Sequence, residues 1–285
     1  MNPLSRCLRS GRVLVGLGIV GAILLCAVCA PLLAPNDPAE QDLLHILIPP
    51  AWATDGDRAF PLGTDSLGRC ILSRLLYGAR TAMLVALLAS IGAMTIGSVL
   101  AHVAGYFGGM VDWVIGRVVD VWMSFPPVIL SLVLMVGLGI GLDKVILAII
   151  LVDWTRFCRV LRSEVLVVKQ RDYVAAARLI GFSHWQTVTR EVLPATLPLL
   201  ITLLSLEMGI AVVVEAILSF VGLGVGPGQA AWGPMIADAR QHIYTSAGAL
   251  FFPVLAIFLT VTGFNLLGDG LRRALDVRLV NAAER

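Results

Sequence analysis

Charge is what this sequence has least of. Only 14% of its 285 residues are Asp, Glu, Lys or Arg, against 58% hydrophobic. A soluble domain of this size needs roughly a quarter of its residues charged, so an all-aqueous surface is excluded. The mean hydropathy of +0.89 points instead to the bilayer as solvent. A formal net charge of +2 argues against a nucleic-acid partner. Cysteine and histidine are sparse as well. Cys7, Cys26, Cys29, Cys70 and Cys158 show no metal-ligand spacing, and His45, His102, His184 and His242 are scattered, so no metal site is expected. Cys26 and Cys29 form a C-x-x-C, but no polar neighbour is there to activate a thiolate, which leaves small buried hydrophobes as the reading. No cluster of nucleophile and base stands out, so no catalytic residue is assigned. The G-x-x-x-x-G-K-[ST] phosphate loop is missing too, and with it any expectation of nucleotide chemistry in this chain.

What is present is a series of long uncharged intervals. The first, between Arg12 and Asp37, can cross a hydrocarbon core of about 30 Å as a helix. Its basic start, with Arg6, Arg9 and Arg12, resembles a signal peptide. The apolar run is long for one, and Pro31 would follow the cut, so an uncleaved first span is expected. Further intervals run from Thr81 to Val111 and from Val121 to Leu142. A fourth begins after Lys144 and meets Asp153, Arg156, Arg159 and Arg162. A fifth covers Thr196 to Val221, and a sixth lies between Arg240 and Asp269. An all-α polytopic membrane protein of about six spans is the expectation.

Lysine and arginine set the orientation. With an even number of spans, Arg6, Arg9, Arg12, Arg117, Arg156, Arg159, Arg162, Lys169, Arg171, Arg178, Arg190, Arg272, Arg273, Arg278 and Arg285 share one side, which should be cytoplasmic and hold both termini. The opposite side has fewer cations, and its first loop adds Asp37, Glu40, Asp42, Asp55, Asp57 and Asp65. That loop, Ala34 to Leu76, contains five prolines and should be ordered by turns. Thr64 is a candidate N-cap for the second span, with Arg69, Arg74 and Arg80 as interfacial anchors. Shaping the outer mouth is an equal alternative for this loop.

After the fourth span the apolar spacing of Val160, Leu161, Val165, Leu166 and Val168 extends the helix into the cytoplasm. Then YVAAARLIG predicts a helix ending at Gly181. Ser183 caps a second short helix, HWQTVTREVL, that Pro194 helps to close. Small side chains at Ala175, Ala176 and Ala177 would let another surface approach closely. An ordinary amphipathic surface loop fits these residues equally well.

YVAAARLIG followed by REVLP resembles the EAA loop of ABC-importer permeases, with Ala176, Ala177, Gly181 and Pro194 at matching positions and Ala175 replacing the usual Glu. GTDSLGRCILSRLLYGAR is similar to a signature of the dipeptide/oligopeptide/nickel permease group, with Cys70 where Asp is usual. GYFGGMVDWVIGRVVDVWMSFPP, EAILSFVGLGVGP, AWGPMIADAR and FNLLGDGLRRALD also look like that group, in its order. The resemblance implies a type I ABC-importer permease of the bacterial inner membrane. Its partners would be a second permease, two ATP-binding subunits, an external solute-binding protein and membrane lipid. ATP and Mg would bind the partner ATPases and no cofactor this chain. The elbow from Tyr173 to Leu193 would dock on the ATPases. On this reading residues 1–76 form the first span and external loop, 77–275 the permease core with its coupling loop at about 170–194, and 276–285 a cytoplasmic tail.

Charges inside the bilayer are costly and must face protein, water or an edge. Glu207 and Glu215, eight apart and so on roughly one helical face, are candidates for the translocation path. Structural packing is the alternative, favoured for Glu215. Gly222, Gly224, Gly226 and Gly228 with Pro227 suggest an irregular or re-entrant external segment that could gate the outer mouth, with Trp232 at the interface. Peptides are the expected cargo and nickel or a nickel chelate the alternative. An ion-coupled secondary transporter, which should show internal repeats and broken midplane helices, is the rival of another class.

Overall fold

The computed structural model describes residues 10–226 and 228–275. Arg6, Cys7, Arg9, Pro227 and the proposed tail at 276–285, with Arg278 and Arg285, lie outside them. The helices are α1 (Gly11–Val28), α2 (Ala30–Leu33), α3 (Ile71–Phe107), α4 (Gly109–Met123), α5 (Pro127–Leu138), α6 (Leu142–Val168), α7 (Asp172–Leu179), α8 (His184–Thr187), α9 (Leu193–Phe220), α10 (Trp232–Ala239) and α11 (Ala247–Leu275). A π turn, Val188–Val192, joins α8 to α9, and a 3₁₀ turn, Arg240–His242, follows α10.

Helix α3 is the spine. Ala82, Ala86, Ser90, Ala93, Gly97, Ala101 and Gly105 form a stripe of small buried residues along it. Such stripes allow helix backbones to approach closely in lipid, where hydrophobicity does not drive association. Helix α6 occupies the stripe: a Cβ at Gly97 would lie 2.4 Å from the Trp154 carbonyl oxygen, and one at Gly105 2.7 Å from Val165 Cγ1. Ala93 and Ala101 pack with Trp154, Phe157, Cys158 and Leu161 in one core cluster, and Ala89 with Val145, Ala148 and Ile149 in the next.

Among the described residues, four segments are long and apolar enough to cross a membrane: α1, α3, the continuous run His184–Phe220, and Ala247–Arg273 within α11. The expected third span, Val121 to Leu142, is corrected. It splits after Met123, and α4 and α5 meet at 87° as one bent pair. Pro126 and Pro127 favour the break, because proline disfavours helical geometry in the preceding residue and removes a donor. Helix α6 is less apolar because of its charges, yet its 27 residues reach about 40 Å. It also runs antiparallel to α9: the Gly141 N–H donates to Gly224 O beyond the end of α9, while the far end of α6 feeds the segment that begins α8. If α9 crosses, α6 crosses with it.

The described ends lie on one side. Gly270 packs on Val13 and Gly16 on the Gly263 and Leu267 backbone, so α1 and α11 are antiparallel. Gly268 meets Ser205 and Gly209 meets Phe264, which puts the start of α9 on that same side.

The external loop is ordered by turns, as its prolines predict, but Thr64 does not cap α3. The N-cap residue is Cys70, whose side chain makes no cap bond. The Asp65 carboxylate instead accepts the Leu67 and Arg69 N–H groups and tightens the turn before the helix, so the chain reaches helical geometry later. The Thr64 hydroxyl donates to His45 O at 2.6 Å and accepts the Ile48 N–H at 2.9 Å. Nearby, a hydrogen bond from His45 and the Leu44 N–H hold the exposed Asp42 carboxyl below the usual carboxylate range. Arg69 and Arg74 are buried rather than set at the lipid interface. Arg69 joins Asp65 (2.7 Å) to Asp238 on α10 (2.9 Å), which ties the loop to the segment before α11.

Candidate functional site: a basic elbow beneath a buried charge knot

At the basic end, Val165, Val168, Val174 and Val192 form a small core with Tyr106, which fixes α7 against α6 and the π turn. Helix α7 ends in a Schellman motif. The Phe182 N–H donates to Ala177 O and the Gly181 N–H to Arg178 O, with Gly181 at φ +98°, a conformation open to glycine. Ser183 then opens α8 with a full capping box. Its hydroxyl accepts the Gln186 N–H and its own N–H donates to the Gln186 side chain. A rigid two-helix elbow results.

Tyr173, Ala175, Ala176 and Gly181 are exposed on it, whereas Ala177 points inward and is buried. The outward close-approach surface therefore rests on two of the three alanines. Pro194 does not close a helix. Helix α8, the π turn and α9 run on continuously, with Pro194 in the first turn of α9. The π turn shifts the hydrogen-bond register just before it, which accommodates a residue without an N–H. The sequence reading missed the largest exposed groups: Leu179 is 88% exposed, Ile180 75% and Trp185 72%. Arg178, Arg171 and Arg190 of the same elbow are exposed as well. Arg178 also donates to Tyr106 Oη at 3.0 Å across an open cleft of ≈ 350 Å³ that Ala175 lines.

Above the elbow, Glu207 and Glu215 have separate surroundings. Glu207 is buried against α6, with its Oε1 3.6 Å from the Arg156 guanidinium and its carboxyl in contact with that of Asp153. The pairing of Asp153, Arg156 and Glu207 was not visible in sequence, although each appeared there as an isolated charge. Glu215 accepts the Ser219 hydroxyl at 2.7 Å, and Ser219 Oγ in turn accepts the Val225 N–H. This chain anchors the external glycine segment. A Cβ on Gly224 would fall 1.9 Å from Ser219 Oγ, while Gly226 has open space around it.

Trp232 is not at the interface. It is 2% exposed, donates Nε1–H to Leu75 O at 3.1 Å and lies flush on Gly78. The gap over glycine accepts the indole, and burial needs the hydrogen bond that Leu75 supplies.

A bundle of crossing helices, a buried charge knot and a capped elbow on the basic face define a polytopic membrane protein of transporter type. Two family models cover most of its length: "Binding-protein-dependent transport system inner membrane component" over residues 93–281, and "N-terminal TM domain of oligopeptide transport permease C" over residues 5–50. The chain belongs to the binding-protein-dependent inner-membrane permease family and is a permease of the ABC-importer class. It is similar to the dipeptide transport system permease protein DppC of Escherichia coli (41% identity, 95% of this chain and 90% of that one). It is also similar to the nickel transport system permease protein NikC of Escherichia coli (40%, 92% of each). The di/tripeptide transport system permease protein DppC of Pseudomonas aeruginosa is 38% identical over 94% of this chain and 88% of its own.

Proposed function

We propose that this permease pairs with a second permease in the bacterial inner membrane to conduct peptides inward, driven by two ATP-binding subunits and loaded by an external solute-binding protein. The observation that carries the reading is the elbow: a preorganised two-helix projection on the basic face, capped at both junctions and presenting Leu179, Ile180 and Trp185. Exposed aromatic and aliphatic groups on a rigid element are what a docking partner buries, and a rim of arginines supplies orientation. ATP and Mg belong to the partners, and this chain binds no cofactor and catalyses no reaction. Closure of the ATPase pair would pull the elbow and, through α6 and α9, change access across the membrane. Tyr173, Ala175, Ala176, Ala177 and Gly181 form its docking face, with Pro194 at its root. Domain limits near residues 76 and 275 follow from the same division of labour.

Nickel or a nickel chelate is the second reading, favoured by 40% identity to a nickel permease. On the outer side, the turn at Gly222 to Gly226 forms the proposed gate, rooted on Ser219 and followed by the helix that Trp232 pins to α3. Glu207 contributes to the path through its partner Arg156, and Glu215 holds the gate's root. The test is uptake into proteoliposomes holding the whole complex. ATP-dependent uptake of labelled dipeptide supports the peptide reading, and uptake of ⁶³Ni with none of dipeptide moves the assignment to nickel. Uptake by this chain alone, without ATP, overturns both.

A further inference from the structure

We infer that the α6 surface bearing Arg156 lines the water-filled passage of the transporter and does not face lipid. The inference rests on the permease reading above. Arg156 stands 14 residues into α6, about 21 Å below its outer end at 1.5 Å per residue. Glu207, its partner, stands 13 residues from the end of α9, about 20 Å down. Both depths fall inside a hydrocarbon core of about 30 Å. Yet 36% of the Arg156 side chain is open in the isolated chain. A guanidinium open at that depth cannot face acyl chains, and its pairing with Glu207 holds it back from stretching to the membrane edge.

Toward the cytoplasmic end α6 carries further charged pairs, on the side that turns to α4. One turn below, Arg159 and Asp120 of α4 are 2.7 Å apart and half exposed, and Arg162 pairs with Asp112. These groups line an open cleft of ≈ 480 Å³ between α4 and α6. Arg156, Arg159 and Arg162 each stand beside a carboxylate, so none of the three presents a lone cation. Such a wall lets a zwitterionic peptide pass without trapping it.

The test measures reactivity toward a charged, membrane-impermeant maleimide in the assembled, transport-active complex. Modified sites are located by peptide mass spectrometry, so the native cysteines stay in place. Arg156→Cys is compared with Leu259→Cys, which lies at a similar depth, about 18 Å down α11, on an exposed apolar face. Val160→Cys, 37% exposed one turn below Arg156, carries the test if Arg156→Cys does not assemble. The expected result is at least ten-fold faster labelling at 156 and 160 than at 259, with the rate changing on addition of ATP. Labelling at 156 and 160 as slow as at 259, in a complex that still transports, overturns the inference and leaves the permease reading standing. Failure of ATP-dependent transport by the unmodified complex overturns the reading on which it rests.

Discussion

At the scale of single residues, three positions show how local chemistry constrains this protein. Gly224 faces Ser219 with no space for a methyl group, whereas Gly226 has room. Gly224→Ala is therefore expected to cost about 1–3 kcal/mol by overpacking and Gly226→Ala only a few tenths, read as the shift in thermal unfolding of the purified protein. Cys70 sits at the N-cap of α3 without a cap bond, four residues before Arg74, whose buried Nε has no hydrogen-bond partner. An aspartate there would accept a first-turn N–H and face Arg74. Cys70→Asp should stabilise by about 1 kcal/mol and raise the unfolding temperature; a lower temperature would show that the pocket cannot admit the carboxylate. Glu207 is the third. Glu207→Leu removes one of the two carboxyls beside Arg156 and should cost about 1–3 kcal/mol, while Glu207→Gln retains the shape and costs less. Equal losses in the two variants would remove the ion pair from the account.

Elements explain what could be read in advance. The elbow was legible because its signals are local: Gly181 for a left-handed C-cap, Ser183 with Gln186 for a capping box, alanines for helix. Gly181→Val, which cannot adopt φ +98° without strain, should cost about 1–2 kcal/mol, and it should release the ATPase subunits in a pull-down before it affects membrane insertion. Trp185→Ala with Leu179→Ala should weaken that association at least ten-fold while leaving thermal unfolding of the isolated chain unchanged. Long-range features were not legible. Hydropathy averages over a window and has no sense of direction, so the apolar run from Val121 to Leu142 concealed an 87° bend that Pro126 and Pro127 impose. Trp232 was placed at the interface by its type alone, because nothing near it in sequence reveals that Gly78, over 150 residues away, leaves a slot for the indole. Arg69 likewise reads as an interfacial anchor from its type, because its partner Asp238 lies 169 residues downstream.

For the whole molecule, the arrangement follows from how charge is distributed along helices in a solvent that does not tolerate it. Helix α6 carries the charges that disguise it as a weak span, and those charges meet partners on α4 and α9. Charged pairs thereby run along α6 from mid-depth to the basic face, and the elbow hangs beneath α6 and α9. Motion imposed on the elbow reaches Glu207 along the continuous run from α8 through α9, and Arg156 through the core that packs α7 on α6. The central claim is that this chain is a permease driven from outside itself, through that elbow. Its most direct test is dipeptide uptake into proteoliposomes containing the complete complex, with intact chain or with Gly181→Val. The account predicts uptake that requires ATP and the partner subunits, and falls at least ten-fold in the variant. Uptake that persists without ATP, or that is indifferent to Gly181, would contradict it.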